Sequence, residues 1–370
     1  IIMKIFYVLS RKDFFELGKN GRVAHAAGIV DGLVENNVSV TVFSSVSARN
    51  YCSEKASFYK LSGVGAFWYL DLIASLLKNK KHADFIIVRY STLMGWLYCL
   101  ILNAFAKNKW GFELNGLGYH QLNGNRSNLT NILRYFERFV ISKTPFINCV
   151  SENIKNEISN INDSVYVLPN AGYEVEEQDC IDNDYSDVDK VKIMYLGKFH
   201  DYYDFAPLVK SISERNDVSL YLYGSGKQCD YLKNESISVD NIHLMGRYDL
   251  EDIVKSGKLN GRTVLVLPYK EGTVADYGSP TKLFEYLSLA LPVMSTRVSQ
   301  PYDILKDIEK TIPNTVFFYD SSNINEMLDT MVHTDLRVDR EKLKNKYMNE
   351  HTWKSRCSDY LKMIRKHLSK

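Results

Sequence analysis

The sequence predicts an α/β chain made of two doubly wound parallel-sheet domains, and three observations carry that prediction. Short apolar strand patterns alternate with amphipathic helix patterns over nearly the whole length. The alternation stops once, at the acidic tract Glu174 to Asp189, which has no apolar face, and then resumes. The 370 residues are long for one domain and suit two.

Strand patterns in the first series are Lys4–Leu9, Ser39–Ser44, Phe85–Arg89, Lys109–Leu114, Phe146–Val150 and Val165–Leu168. Helix patterns between them cover Arg22–Asn36, Phe67–Lys78, Leu93–Lys107, Leu129–Ser142 and Glu152–Ser159. The second series has strands at Lys192–Leu196, Ser219–Tyr223, Ile242–Leu244, Thr263–Leu267, Pro292–Ser295 and Thr315–Phe318. Its helices are Asp204–Glu214, Gln228–Asn234, Leu250–Ser256, Pro280–Ala290, Ile324–Val332 and Arg340–Tyr347, with a last helix at Trp353–Lys366. This gives a first domain at 1–170, a linker at 171–190, a second domain at 191–350 and a closing helix at 351–370. Ligands of such sheets bind beyond the carboxyl ends of the strands, which puts the weight on the loops after Leu9, Ser44, Val88 and Leu114.

Composition narrows the function. Hydrophobic residues make up 45% and charged residues 24%, an ordinary soluble balance, and a net charge of +2 argues against a nucleic-acid binder. The six cysteines are scattered without a C-x-x-C pair or zinc spacing, which indicates a reducing compartment, the cytoplasm. The start, Ile1 to Leu9, reads as a first buried strand and is too short for a signal peptide. The longest apolar run, Leu93 to Ala106, falls short of the roughly 20 residues a membrane span needs.

The most informative stretch is Tyr277 to Met294. Ser279 suits a helix cap and Pro280 the first helical position, so Thr281 and Lys282 fall in the first turn. A capped start carrying a lysine and preceded by Gly278 is a site for an anion such as phosphate. Glu285, one turn deeper, can accept hydrogen bonds from sugar hydroxyls. This stretch resembles the nucleotide-sugar site of retaining glycosyltransferases of the glycogen-synthase-like group 1 (family 4), in the surface-polysaccharide branch that reads S-P-x-K-x-x-E-Y. Glu285 matches the second glutamate of that family's E-x7-E motif; the first falls on Tyr277, a departure.

Other segments carry the same resemblance. Tyr195-Leu196-Gly197-Lys198 is similar to the family's Y-x-G-R/K turn, which gives Lys198 a grip on the donor diphosphate. The family's second lysine, five positions on, is Tyr203 here. Gly224 lies in a G-x-G turn, and Gly246-Arg247-Tyr248 matches the segment that reads the nucleotide base. In the first domain the loop Leu17 to Arg22 contributes Gly21 and Arg22, with His25 one turn into the following helix. Glu113 and Asn115 stand in an E-x-N-G segment, and a glutamate in a buried parallel strand must be paired or face a site. Arg89 ends the preceding strand; His120 is the candidate acceptor-side residue; Ser151-Glu152 matches V-S-E/N; Pro169-Asn170-Ala171 matches the interdomain hinge.

The resemblance implies the GT-B fold, two Rossmann-like domains with parallel sheets facing across a cleft and a C-terminal helix crossing back to the first domain. It implies transfer of a sugar from a UDP- or GDP-sugar to a growing surface polysaccharide or lipid-linked glycan, with no cofactor and no metal. Lys198, Lys282, Glu285 and His120 would be catalytic; Gly197, Gly224, Gly246, Arg247, Tyr248, Ser279, Pro280 and Thr281 would hold the donor; Gly21, Arg22, Glu113 and Asn115 would hold the acceptor. Asp182-Asn183-Asp184 matches a metal clasp only formally. The alternatives are a nucleotide-sugar 2-epimerase of the same architecture and a glycan-binding pseudoenzyme, the latter motivated by Tyr277 and Tyr203. Separately, the helix from Phe67 to Leu77, ending in Lys78, Lys80, Lys81 and His82, suits either an inner-membrane surface or a sheet-packed helix with a solvated end.

Overall fold

The computed structural model describes residues 2–9, 21–44, 51–61, 66–122, 128–174, 190–237 and 239–370. The loop from Leu17 to Asn20, most of the acidic linker, Cys180 and Asp182-Asn183-Asp184 lie outside the described residues. The chain divides into two compact units: Ile1–Glu174 with Tyr277–Thr281 and Glu350–Lys370, and Val175–Asp276 with Lys282–Asn349.

In the first unit, chain order is β1 (Lys4–Leu9), α1 (Gly21–Glu35), β2 (Ser39–Ser44), β3 (Ser57–Lys60), α2 (Ala66–Asn79) and β4 (Phe85–Arg89). Next come α3 (Gly95–Phe105), β5 (Trp110–Leu114), α4 (Asn128–Ser142), β6 (Ile147–Cys149), α5 (Glu152–Ile158) and β7 (Val165–Val167). All seven strands are parallel in the order β3-β2-β1-β4-β5-β6-β7. They are apolar on both faces because helices cover both, so they read as continuous hydrophobic runs.

The second unit holds β8 (Val191–Leu196), α6 (Ala206–Ser213), β9 (Val218–Tyr223), α7 (Cys229–Ile237), β10 (Ile242–Gly246), α8 (Leu250–Lys255) and β11 (Thr263–Leu267). It continues with α9 (Thr281–Ser288), β12 (Val293–Thr296), α10 (Ser299–Thr311), β13 (Val316–Tyr319), α11 (Ile324–His333) and α12 (Arg340–Glu350). Its six parallel strands are ordered β10-β9-β8-β11-β12-β13, so chain progression reverses between β8 and β11. Both units are thus Rossmann-like, and each has one switch point where ligands of such sheets bind.

The closing helix α13 (Trp353–Leu368) belongs to the first unit. Thr352 caps it by accepting the Ser355 N–H, and Trp353, Cys357, Tyr360 and Ile364 recur at helical spacing on its buried face. Gly28 and Gly32 of α1 make the approach possible. A Cβ at Gly28 would come 2.0 Å from the Trp353 ring, and one at Gly32 would come 2.4 Å from the Trp353 carbonyl oxygen. Each fully buried aliphatic such as Ile364 stabilises this packing by about 1.5–3 kcal/mol.

Every helix and strand expected from sequence is present within three residues of its bounds. Among the described residues one strand and one α-helix are additional, besides short 3-10 turns. β3 is an edge strand of four residues, S-F-Y-K, too short for its alternation to register. α10 carries Pro301 in its first turn, where a missing N–H costs nothing; its buried residues are Gln300, Pro301, Leu305 and Ile308, too few of them aliphatic to stand out as a stripe.

Candidate functional site

The carboxyl ends of β8, β9 and β10 stand level, with Leu196 registered on Tyr223 and Tyr223 on Gly246. Each strand ends in a glycine with positive φ: Gly197 at 151°, Gly224 at 148° and Gly246 at 77°. The first two turns lie too close together for side chains, whereas a Cβ on Gly246 would meet nothing within 4 Å. A Cβ on Gly224 would fall 1.7 Å from the Gly197 carbonyl oxygen, while the backbone joins them through Gly197 N–H to Tyr223 O (2.8 Å) and Gly224 N–H to Gly246 O (2.6 Å). The result is a rim of backbone without side chains, half-buried at Gly197 and Gly246 and buried at Gly224, the kind of surface that lets a ligand approach closely.

Lys282, in the first turn of α9, lies across this rim. Its Nζ donates to the Leu196 carbonyl and sits 4.6 Å from the centroid of the Tyr195 ring. A Cβ on Gly197 would come 1.5 Å from that Nζ, so the glycine is what makes room for the lysine. Tyr286, one turn on, accepts the Leu196 N–H through its hydroxyl at 2.9 Å and pins α9 to the end of β8. Crowding by protein atoms pulls the Lys282 amine down to about 8, against a small opposing effect of Glu285, although the residue as a whole keeps some solvent exposure.

Glu285 is exposed, and Lys198 and Arg247 are exposed on the same set of loops. Burial first, and then the Glu285 carboxylate, push the phenols of Tyr248 and Tyr347 above their usual range, so both rings neighbour that carboxylate. The His200 imidazole is held below its ordinary value by burial and then by the charges of Lys198 and Lys282, which puts a third nitrogen base beside the two lysines. Tyr203 is part of the core: it packs among Tyr195 (5.3 Å), Tyr202 (4.7 Å) and Tyr269 (5.1 Å). Gly197, Gly224, Gly246, Lys198, Tyr248, Lys282 and Glu285 are therefore all placed on one end of the second sheet.

The first unit gathers a different set. Arg89 and Glu113 are registered partners on β4 and β5, and Tyr7 lies on the same face of β1. Glu113 is fully buried and accepts from Arg89 Nη1 (2.8 Å), Asn115 Nδ2 (2.9 Å) and the Tyr7 hydroxyl (3.1 Å), with His25 Nε2 at 3.0 Å. Desolvation raises the Glu113 carboxyl, but His25, Arg89 and Asn115 together outweigh it and hold it at about 2. The His25 ring continues to Asn170 Oδ1, and Asn170 in turn donates Nδ2 to the Ser279 carbonyl and its backbone N–H to Ser279 Oγ (2.8 Å). The Ser279 hydroxyl thus accepts from the backbone of Asn170. Pro280 and Thr281 follow half-buried, and a Cβ on exposed Gly21 would lie 3.8 Å from Thr281 Oγ1. Arg22 is exposed at the start of α1.

His120 stands apart from Glu113. Its Nε2 pairs with Glu157 at 3.0 Å and its ring lies 4.0 Å from the Tyr277 ring. The Tyr277 carbonyl accepts the Ser151 hydroxyl at 2.8 Å. Sequence reasoning left out Tyr7, Tyr286 and the bond from Asn170 to Ser279. Only the proximity of long-range pairs reveals them, and no local pattern encodes it.

Comparison with known proteins bears on the fold and the family. Residues 190–333 match the family model for glycosyl transferases group 1. Among solved structures the chain is similar to sucrose-phosphate synthase from Thermosynechococcus elongatus, at 12% identity, 99% coverage of both chains and a TM-score of 0.65. It is also similar to the lipopolysaccharide outer core galactosyltransferase WaaB, at 13% identity over 98% of this chain and 99% of that one, with a TM-score of 0.67. A third is Anabaena Alr3699/HepE in complex with UDP-glucose, at 10% identity, 99% coverage of both and a TM-score of 0.65. At such identities the structural likeness establishes the fold alone. No curated protein matches the sequence. With the GT-B fold over its whole length and the group 1 match across its second unit, the chain is a glycosyltransferase.

Proposed function

We propose that the chain is a retaining, metal-independent transferase that takes a hexose-type sugar from a nucleoside diphosphate to a growing surface polysaccharide, such as a capsule or O-antigen, or to a lipid-linked glycan. One observation carries the reading: Lys282 lies against the backbone at the carboxyl end of β8, where Gly197 leaves room for its amine and Gly224 of the neighbouring turn leaves room for the Gly197 carbonyl. A cation held there, with the exposed Lys198 and the backbone at Thr281, suits a diphosphate whose charge grows as the sugar leaves. Glu285 would orient the ribose or sugar, and Gly246, Arg247 and Tyr248 would face the base. The neighbour solved with UDP-glucose supports UDP as the nucleotide. Gly21, Arg22, Asn115 and His120 would serve the acceptor, with the buried Glu113 acting only through Asn115, whose amide it holds. The setting would be the bacterial cytoplasm, with peripheral contact at the inner membrane.

The test is transfer from radiolabelled UDP- and GDP-hexoses to a lipid-linked glycan, with and without EDTA, followed by proton NMR of the new anomeric centre. Retained configuration and indifference to EDTA are expected. Transfer that stops with EDTA, or inverted product, would overturn the corresponding part of the proposal.

A further inference from the structure

Helix α4 turns its apolar stripe outward. Ile132, Tyr135, Phe136 and Phe139 follow the i, i+3, i+4, i+7 spacing of a single helix face, and they are 66%, 78%, 41% and 51% exposed. The opposite side carries Val140, Ile141 and the carboxylate of Glu137, which is buried and accepts the backbone N–H groups of Gly118 at 3.0 Å and of Tyr119 at 3.4 Å. A helix that only had to cover its own sheet would be built the other way round.

Helix α3 continues this surface. The strands β4, β5 and β6 advance in one direction across the sheet, so right-handed crossovers put α3 and α4 on the same face. Asn103 Nδ2 donates to the Lys143 carbonyl at 2.8 Å and locks the helices side by side. Tyr98, Cys99 and Leu102 point inward from α3, while Trp96 (40%), Leu100 (60%) and Phe105 (51%) are exposed.

Charge identifies the occupant. Between Phe85 and Thr144 the only acidic residues are Glu113 and Glu137, and both are buried. Lys107, Lys109, Arg134 and Lys143 are all exposed over the same span. Cations reach over the aromatic rim as well: Lys80 Nζ lies 4.5 Å from the Phe105 ring centroid, and Lys143 Nζ lies 5.9 Å from that of Phe139. An apolar stripe with aromatic residues and a mainly basic border, in which Arg134 has the Glu157 carboxylate at 3.8 Å, fits the headgroup and acyl boundary of an anionic leaflet. A second copy of the chain would bring like charges together. The helix α2, singled out from sequence, buries Trp68, Leu72 and Leu76 and leaves Phe67 and Leu70 exposed together with its lysine-rich end.

We infer that the α3–α4 face docks the protein flat on an anionic bilayer. This deepens the membrane contact in the functional proposal, and its test does not depend on the transfer reaction. The full-length chain would be sedimented with vesicles of phosphatidylcholine mixed with phosphatidylglycerol, and with phosphatidylcholine alone, at low and high salt. Binding to the anionic vesicles that weakens with salt is expected. The variant Tyr135→Ser/Phe136→Ser should lose it, and Lys80→Glu/Lys107→Glu/Lys143→Glu should weaken it on the order of a hundredfold, about fivefold per lysine removed. Both variants should keep wild-type melting and nucleotide binding, because the altered side chains are at the surface. Failure of the wild type to bind anionic vesicles would overturn the inference. So would binding untouched by either variant, or dimerisation through this face in place of vesicle binding.

Discussion

Changing Glu113 to Gln keeps the shape of the side chain and removes its charge. In the wild type the carboxyl is held at about 2 instead of its ordinary 4.5, and it is fully buried. A difference of about 2.5 units corresponds to roughly 3 kcal/mol of stability, at about 1.4 kcal/mol per unit. Because the folded value is depressed, this stability is complete above about 4.5 and disappears as the pH falls through about 2. Part of that loss is the pairing with Arg89, which the variant leaves buried without its carboxylate. At pH 7 the first unit of Glu113→Gln should melt roughly 6–12 °C below wild type, taking 2–4 °C per kcal/mol for a unit of this size. Thermal unfolding of both proteins from pH 7 to pH 2 tests this, with the gap narrowing below pH 4.5. A gap that stays constant down to pH 2, or no gap at pH 7, would refute the argument.

Three further outcomes are expected. Gly28→Ala forces a methyl into the Trp353 ring and should destabilise the first unit by about 1–3 kcal/mol, read by urea unfolding, with nucleotide binding unchanged. Gly224→Ala places a Cβ against the Gly197 carbonyl and at a φ that side chains avoid, so it should abolish nucleotide binding measured by calorimetry. With the Lys282 amine pulled down to about 8, it loses its charge as pH rises through that value, so nucleotide affinity should fall between pH 7 and pH 9.5. Lys282→Arg, whose cation does not titrate there, should flatten that profile if it still binds.

Much of the fold was legible because parallel strands buried on both faces leave unbroken apolar runs, as in Ile193 to Leu196 and Thr263 to Leu267. Glu113 was legible as an anomaly, since a carboxylate in such a run must find partners. Which partners was not, because Tyr7, His25 and Arg89 are distant in sequence. Tyr203 showed as a departure from a pattern, and its place in an aromatic cluster depends on tertiary packing. Periodicity marked α4 as amphipathic but could not say which face turns inward, since Glu137 is satisfied by the backbone of a loop some twenty residues away.

The central claim is that the glycine rim and Lys282 form a nucleoside-diphosphate site. It is tested most directly by calorimetric titration of UDP and of GDP into the wild type and into Lys282→Ala. The account predicts that one nucleotide binds the wild type and binds the folded variant at least about tenfold more weakly, the loss of roughly 1.4 kcal/mol expected of a charge-assisted contact. Binding of neither nucleotide, or equal affinity for both proteins, would contradict it.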